Sequence, residues 1–168
     1  MFNKNYEIKC RLSNHSGLIK LIKSDGKYVH STEKQTDIYY KVRSGRLKLR
    51  IINDEYSNLI YYERPEKRKI RTSNYIISKS GDFKQLNSIL KKQFEVLTEV
   101  TKHRNIFIKD NIRIHIDKVR KLGDFLEIEI IYKDLSRAKK QMEDLFHWLG
   151  LDKNNFIKNS YSDLLIKK

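Results

Sequence analysis

Leu126-Glu127-Ile128-Glu129-Ile130 sets a carboxylate at every second position between aliphatic residues. A strand sends successive side chains to opposite faces, so this stretch has one oily face and one acidic face. Three other stretches alternate in the same way with different charges. They are Asn5-Glu7-Lys9-Arg11 around Ile8 and Cys10, Arg46-Lys48-Arg50 around Leu47, Leu49 and Ile51, and Arg113-His115-Asp117 around Ile112, Ile114 and Ile116. A water-facing sheet also alternates. What separates this chain from that case is the sorting of sign: Arg46-Lys48-Arg50 is wholly basic and Glu127-Glu129 wholly acidic, whereas solvated surfaces mix signs to limit self-repulsion. A site that holds a polyanion through a divalent metal needs both sets, cations for the anion and carboxylates for the metal.

Working outward, the chain reads as a run of short strands broken by three or four helices. A strand is expected over about 4–12, then a helix capped by Ser13 with Leu18, Ile19 and Ile22 on one face, closed at Asp25-Gly26. Residues 28–42 look extended. A hairpin over 46–53 and 58–64 turns at Asn53-Asp54-Glu55-Tyr56-Ser57, with Pro65 ending its second arm and Glu66-Lys67-Arg68-Lys69 as a charged turn. A strand over about 70–79 precedes a helix opened by Gly81-Asp82, with Phe83, Leu86, Ile89, Leu90 and Phe94 as its apolar face. Strands over about 97–109 and 111–119 meet at the tight-turn composition Lys109-Asp110-Asn111, and Phe125 to Tyr132 is the last long strand. A helix from Ser136 to Leu149 buries Ala138, Met142, Leu145, Phe146 and Leu149, and Gly150 ends it. About eight strands, mostly joined as hairpins, predict an α+β domain over 1–168 built on an antiparallel sheet. Eight strands are enough to close a barrel. Ionic faces turned inward would line one cavity, with helices packed outside on the apolar faces. Such a charge-lined interior is tolerable only when opposite charges, water or a bound metal–anion complex compensate it.

Composition narrows the partners. Lys and Arg outnumber Asp and Glu by 36 to 21 in 168 residues, a formal charge of +15 that attracts anions. Nucleic acid is disfavoured because no basic helix or arm stands out and the cations concentrate on strands as well. Cys10 is the one cysteine, which excludes an internal disulfide and a cysteine-rich zinc site and suggests a buried thiol. No apolar run approaches the ~20 residues that span a bilayer, and MFNKNYEIKC lacks a secretory hydrophobic segment, so no membrane partner and a cytoplasmic location are expected. Neither a Gly-x-Gly-x-x-Gly nor a Gly-x-x-x-x-Gly-Lys loop is present, which removes the Rossmann and P-loop nucleotide sites.

The motifs, taken in order, resemble the CYTH superfamily, the triphosphate tunnel metalloenzymes. Asn5-Tyr6-Glu7-Ile8-Lys9 is similar to its Glu-x-Glu-x-Lys opening; Gly45-Arg46-Leu47-Lys48-Leu49-Arg50 and Tyr61-Tyr62-Glu63-Arg64-Pro65 resemble its next strands. Lys102-His103-Arg104, Arg113-Ile114-His115-Ile116-Asp117 and Leu122-Gly123-Asp124-Phe125-Leu126-Glu127-Ile128-Glu129 complete the pattern, which ends at Tyr161-Ser162-Asp163-Leu164-Leu165. The Arg-Ile-His-x-Asp-x-Val-x-x-Leu-Gly segment is most similar to the class IV adenylate cyclases. The resemblance implies an eight-stranded antiparallel β-barrel tunnel that binds a triphosphate such as ATP with Mg²⁺ or Mn²⁺, and makes a homodimer reasonable. It implies Glu7, Glu127 and Glu129 as metal carboxylates with Asp117 as a further acidic contact. Lys9, Lys48, Arg50, Arg64, Lys102, Arg104 and Arg113 are implied as phosphate ligands, and Lys9 with the three glutamates as the catalytic group. Hard Mg²⁺ takes oxygen ligands and bridges to phosphate, and Arg forks pair phosphate oxygens.

One position departs from that opening motif. Asn5 replaces its first glutamate, keeping a carbonyl oxygen but removing one negative charge from the acidic cluster. Arg46 reads as a tunnel-mouth residue, His115 as a residue on the ionic face within reach of substrate, Asp37 as either tunnel lining or structural, and Trp148 as core or a lid. Three functions compete: an adenylate cyclase that converts ATP to 3′,5′-cyclic AMP and pyrophosphate, a triphosphatase acting on inorganic, thiamine or nucleoside triphosphate, and a non-catalytic polyphosphate- or nucleotide-binding module. The tunnel residues alone barely distinguish the first two.

Overall fold

Every second side chain of the alternating stretches does face one way, and the sheet they build is oily outside and ionic inside. The computed structural model describes residues 5–63 and 74–167, so Arg64, Pro65 and the 66–69 turn lie outside the described residues. The strands are β1 (Asn5–Arg11), β2 (Val29–Tyr40), β3 (Arg46–Ile52), β4 (Tyr56–Glu63), β5 (Asn74–Ser80), β6 (Val96–Lys109), β7 (Ile112–Val119) and β8 (Gly123–Ile131). Helices α1 (His15–Ser24), α2 (Phe83–Gln93), α3 (Leu135–Leu149) and α4 (Tyr161–Ile166) are interleaved with them. All eight strands join one antiparallel sheet in the order β1-β8-β7-β6-β2-β3-β4-β5, the α+β architecture expected. The sheet curls, and β1 and β5 stand at the two ends of the order.

The outer face carries two apolar clusters. Ile8 and Cys10 of β1, Phe107 of β6, Ile114 and Ile116 of β7 and Leu126, Ile128 and Ile130 of β8 pack under Ala138, Met142, Leu145 and Leu149 of α3 and Ile22 of α1. Ile38, Tyr40, Leu49 and Ile51 meet Leu90 of α2, with Phe83, Leu86 and Phe94 at its margin. Each fully buried aliphatic side chain contributes about 1.5–3 kcal/mol, and this outer layer offsets the cost of an ionic interior. Cys10 is 1% exposed and burial pushes its thiol up to about 12, as suits an inert packing residue.

Local chemistry sets the ends of the elements. Several anticipated boundaries move: Tyr56 and Ser57, expected in the hairpin turn, pair with Ile52 and Ile51 as the start of β4. α1 is capped by Asn14, not Ser13, because the Asn14 side chain reaches the Gly17 N–H at 2.9 Å. α3 begins at Leu135 because Asp134 accepts from the N–H groups of Ser136 and Arg137. Asp82 caps α2 and left-handed Gly150 closes α3, as read from the sequence. Asn53, Asp54 and Asp110 take positive φ in their hairpin turns, the conformation for which Asn and Asp are the usual non-glycine choices.

The short α4 behaves differently from the other helices. A reciprocal capping box between Ser160 and Asp163 starts it. Its Tyr161 joins Tyr39, Ile60, Tyr62, Val100, Val119, Leu122 and Phe125 in a third cluster, which places α4 across one end of the curled sheet. Arg46 serves this seam: it pairs with Asp163 at 2.9 Å and donates to Ser160 Oγ at 2.7 Å. Trp148 is not a lid over the cavity; it stacks on Tyr28, ring centroids 5.7 Å apart, on the helix-covered side. No helix among the described residues is long and apolar enough to cross a membrane.

Candidate functional site

The inward faces enclose a cavity of about 470 Å³. Six cations and five carboxylates line it among the described residues, so nearly all of the +15 excess lies elsewhere on the chain. The lining cations are Lys9, Lys48, Arg50, Lys102, Arg104 and Arg113, and the carboxylates are Glu7, Glu33, Asp37, Glu127 and Glu129. Register sets most of these charges against opposite ones, Glu7 and Glu129 being the like-charged exception. Asp37 faces Arg50, Glu33 faces Arg104, Glu127 faces both Lys9 and His115, and Glu129 faces both Glu7 and Arg113.

Two carboxylates act as hubs for the cations. Asp37, 1% exposed, accepts from Arg50 at 2.7 and 2.8 Å and from Lys48 at 2.9 Å, with Lys102 at 4.0 Å. Burial pushes the Asp37 carboxyl up, yet Arg50 and Lys48 together hold it well below the usual carboxylate range. Asp117 is fully buried and accepts from Arg104 at 2.7 and 2.6 Å and from the Tyr161 hydroxyl at 2.9 Å. It sits behind the cavity wall and is not among the lining residues; its contacts are those of an anchor for Arg104. Lys48 and Lys102 are squeezed from two sides: burial and the neighbouring Arg50 bring Lys48 down to about 7, and burial and Arg104 bring Lys102 down to about 8. Both stand ready to gain from an added anion.

The acidic end is built by β1, β7 and β8. Glu127 pairs with Lys9 at 2.7 Å and with Arg104; burial raises its carboxyl but these two cations hold it well below the usual range. His115, Glu127 and Glu129 bring one donor atom each within 4.8 Å of one another. His115 Nδ1 stands 3.8 Å from Glu127 Oε2 and 3.7 Å from Glu129 Oε1, and it is buried with no hydrogen-bond partner. Glu7 lines the cavity opposite Glu129, and Asn5 lies two residues along the same face. This donor set of carboxylates and an orphaned imidazole fits a divalent cation.

The cavity has two unlike ends. At the α4 end Tyr62, Ser160 and Tyr161 are buried, and Lys9 lies 3.8 Å over the Tyr161 ring. At the opposite end Ile52, Ile77, Ile106 and Ile108 form an apolar rim, with Ile77 and Ile108 exposed. Near that rim Gln35 Oε1 and Asn58 Oδ1 are buried without partners. The structure thus gathers Glu7, Lys9, Lys48, Arg50, Lys102, Arg104, Arg113, Glu127 and Glu129 around one space. Arg64 lies outside the described residues. Sequence reading passed over Glu33, Gln35, Tyr39 and Tyr161. The first three alternate along β2, but polar Lys34 and Thr36 between them hide the pattern; Tyr161 reads in sequence only as the start of the closing Tyr161-Ser162-Asp163-Leu164-Leu165 motif, with no place in the cavity.

Residues 3–161 match the CYTH domain family. A Methanocaldococcus jannaschii protein named "putative adenylate cyclase" is 29% identical, the match covering 94% of this chain and 96% of that one. Among solved structures, a Pyrococcus horikoshii OT3 protein superposes with a TM-score of 0.86 at 27% identity, covering 95% of this chain and 98% of its own. A Hippeastrum protein described as a "putative adenylyl cyclase" that reveals a dominant triphosphatase activity shares the fold at 12% identity. Its TM-score is 0.72, with 98% of this chain and 95% of that one covered.

Proposed function

We propose, from the premise that this chain belongs to the CYTH domain family, that it is a metal-dependent adenylate cyclase converting ATP to 3′,5′-cyclic AMP and pyrophosphate. The observation that carries this reading is a single cavity lined by a set of Lys and Arg side chains, a carboxylate cluster and a group of isoleucines. Triphosphate oxygens suit the floor of Lys9, Lys48, Arg50, Lys102 and Arg104, where guanidinium forks pair phosphate bidentately. An organic group suits the rim. Gln35 and Asn58 offer unpartnered acceptor oxygens there, which amino or hydroxyl donors of a nucleoside can satisfy and an inorganic triphosphate, being all acceptor, cannot.

Glu7, Glu127 and Glu129 are the residues that would hold the metal, and a bound dication would supply charge stabilisation at the α-phosphoryl and lower the pKa of the attacking hydroxyl. The chain's own side chains position the rest. Lys48 and Arg50 from β3 and Lys102 and Arg104 from β6 draw the terminal phosphates toward α4, which leaves the α-phosphorus beside the carboxylates and the ribose at the rim. The 3′-hydroxyl gives its proton to solvent water, its oxygen bonds the α-phosphorus, and the bond from α-phosphorus to the bridging oxygen breaks. Pyrophosphate departs with its charge still matched by the floor.

The name of the Methanocaldococcus relative supports cyclisation. Hydrolysis is the second reading, favoured by the triphosphatase activity stated for the Hippeastrum protein of the same fold. A cytoplasmic location belongs to the same proposal. Incubation with ATP and either Mg²⁺ or Mn²⁺, followed by separation of cyclic AMP, ADP and AMP, tests both readings. Cyclic AMP with equimolar pyrophosphate is expected. ADP with phosphate would replace the cyclase reading by the triphosphatase one, and binding without turnover would overturn both.

A further inference from the structure

We infer that His115 is itself a metal ligand, which makes the cation site a mixed nitrogen–oxygen site selective for a first-row transition ion over Mg²⁺. The inference deepens the proposed function at the same cavity and rests on it only for the presence of a metal.

The geometry around the ring leads there. His115 is 6% exposed, on the inward face of β7, and its Nδ1 has no hydrogen-bond partner. Leaving a buried nitrogen unsatisfied is costly, so something should reward it. The two atoms facing it, Glu127 Oε2 and Glu129 Oε1, lie at 3.8 and 3.7 Å. Those separations are too long for hydrogen bonds, which close to about 2.7–3.2 Å between nitrogen and oxygen. By contrast, ligands about 2.1 Å from one ion are separated by about 3.0 Å when adjacent on an octahedron and about 3.5 Å on a tetrahedron. They lie about 4.2 Å apart when opposed, so the two spacings from His115 fall inside the range spanned by shared coordination.

Register explains why the three meet. His115 and Glu127 are direct partners across β7 and β8, and Glu129 is the next inward residue on β8. Glu127 is held by Lys9 and Arg104, so the protein fixes this ligand before any ion arrives. Mg²⁺ strongly prefers oxygen, whereas imidazole suits Fe²⁺, Ni²⁺ and Zn²⁺ best and is accepted by Mn²⁺ more readily than by Mg²⁺. With Asn5 where the resembling motif has a carboxylate, the cluster also has less charge with which to hold Mg²⁺. Both features tilt the site in the same direction.

The test is metal binding by tag-free, chelator-treated protein without substrate. In wild type, bound Mn²⁺ should show ¹⁴N couplings from one imidazole by pulsed electron paramagnetic resonance, and should bind at least tenfold more tightly than Mg²⁺ by calorimetry. His115→Gln should abolish the couplings and weaken Mn²⁺ at least tenfold while changing Mg²⁺ less than threefold. His115→Asn provides a second variant should the first fold poorly, with the melting curve of each variant as the control. Wild-type Mn²⁺ without ¹⁴N coupling, or equal loss of Mn²⁺ and Mg²⁺ in the folded variants, would overturn the assignment. Coupling seen in a protein that turns over no triphosphate would leave this site standing and remove the enzymatic reading instead.

Discussion

The ammonium of Lys9 lies 3.8 Å from the centroid of the Tyr161 ring, joining the first strand to the last helix across the cavity. The Tyr161 hydroxyl also donates to Asp117 at 2.9 Å. Tyr161→Phe keeps the ring under the cation and removes one buried hydrogen bond to a charged group, so urea unfolding should show a loss of about 1.5–3 kcal/mol with triphosphate turnover largely kept. Tyr161→Ala removes the ring as well; it should cost about 3–5 kcal/mol and weaken substrate binding, because Lys9 loses the surface it rests on.

Lys48, at about 7, and Lys102, at about 8, should make triphosphate binding consume protons. The anion favours their charged forms, so affinity should fall as pH rises from 7 to 9. Calorimetry at pH 8 in buffers of different ionisation enthalpy should register net proton uptake. Stability of the metal-free protein runs the other way. Both folded pKa values are depressed below the free-lysine value of 10.5, so the unfolded chain binds more protons between about 7 and that value. The contribution of these groups to unfolding free energy therefore rises with pH across that window.

Arg50→Ala should weaken triphosphate binding by about 1.5–3 kcal/mol, the scale of a hydrogen bond to a charged group. Lys41 pairs with Glu95 at 2.8 Å with both side chains 64% exposed, and Lys41→Ala should leave that binding nearly unchanged. Equal losses in a filter-binding or calorimetric titration would point to diffuse attraction by the outer surface instead of recognition in the cavity.

Glu127→Gln and Glu129→Gln should both abolish metal-dependent turnover, yet they should differ in the metal-free fold. Glu127 neutralises Lys9 and Arg104 in the interior, so its substitution should cost about 1–3 kcal/mol of stability. Glu129 is the less buried of the two and has no Lys or Arg ion pair within 4.0 Å among the described residues, so its substitution should cost less than about 1 kcal/mol. Chemical denaturation of the two apo variants separates them. Were mutual repulsion of the two carboxylates to dominate, neither substitution would destabilise.

Legibility followed chemistry. β1, β3, β7 and β8 could be read from sequence because Ile8, Leu49, Ile114 and Ile128 interrupt charges with clean period-two contrast. The inward face of β2 could not, since Gln35 is flanked by Lys34 and Thr36 and nothing in period two distinguishes the sides. Asp117 shows a different limit. It shares the inward parity of Arg113 and His115, but parity does not tell how deep a side chain lies, and Arg104 and Tyr161 close over it. That His115 Nδ1 has no hydrogen-bond partner depends on where β7 and β8 set their side chains, which no local pattern encodes.

On the proposed reading, the buried α4 end and the exposed isoleucine rim would give substrate one entrance among the described residues. Traffic through it would then be last in, first out. A nucleotide entering phosphates foremost would give up its organic half before the pyrophosphate beneath could leave, and a second nucleotide could not start inward until the floor was clear. In product inhibition, pyrophosphate should therefore compete with the nucleotide for the empty enzyme, while the cyclic product should slow turnover without competing. The helix at one end of the sheet would then set the order of release as well as a boundary of the fold.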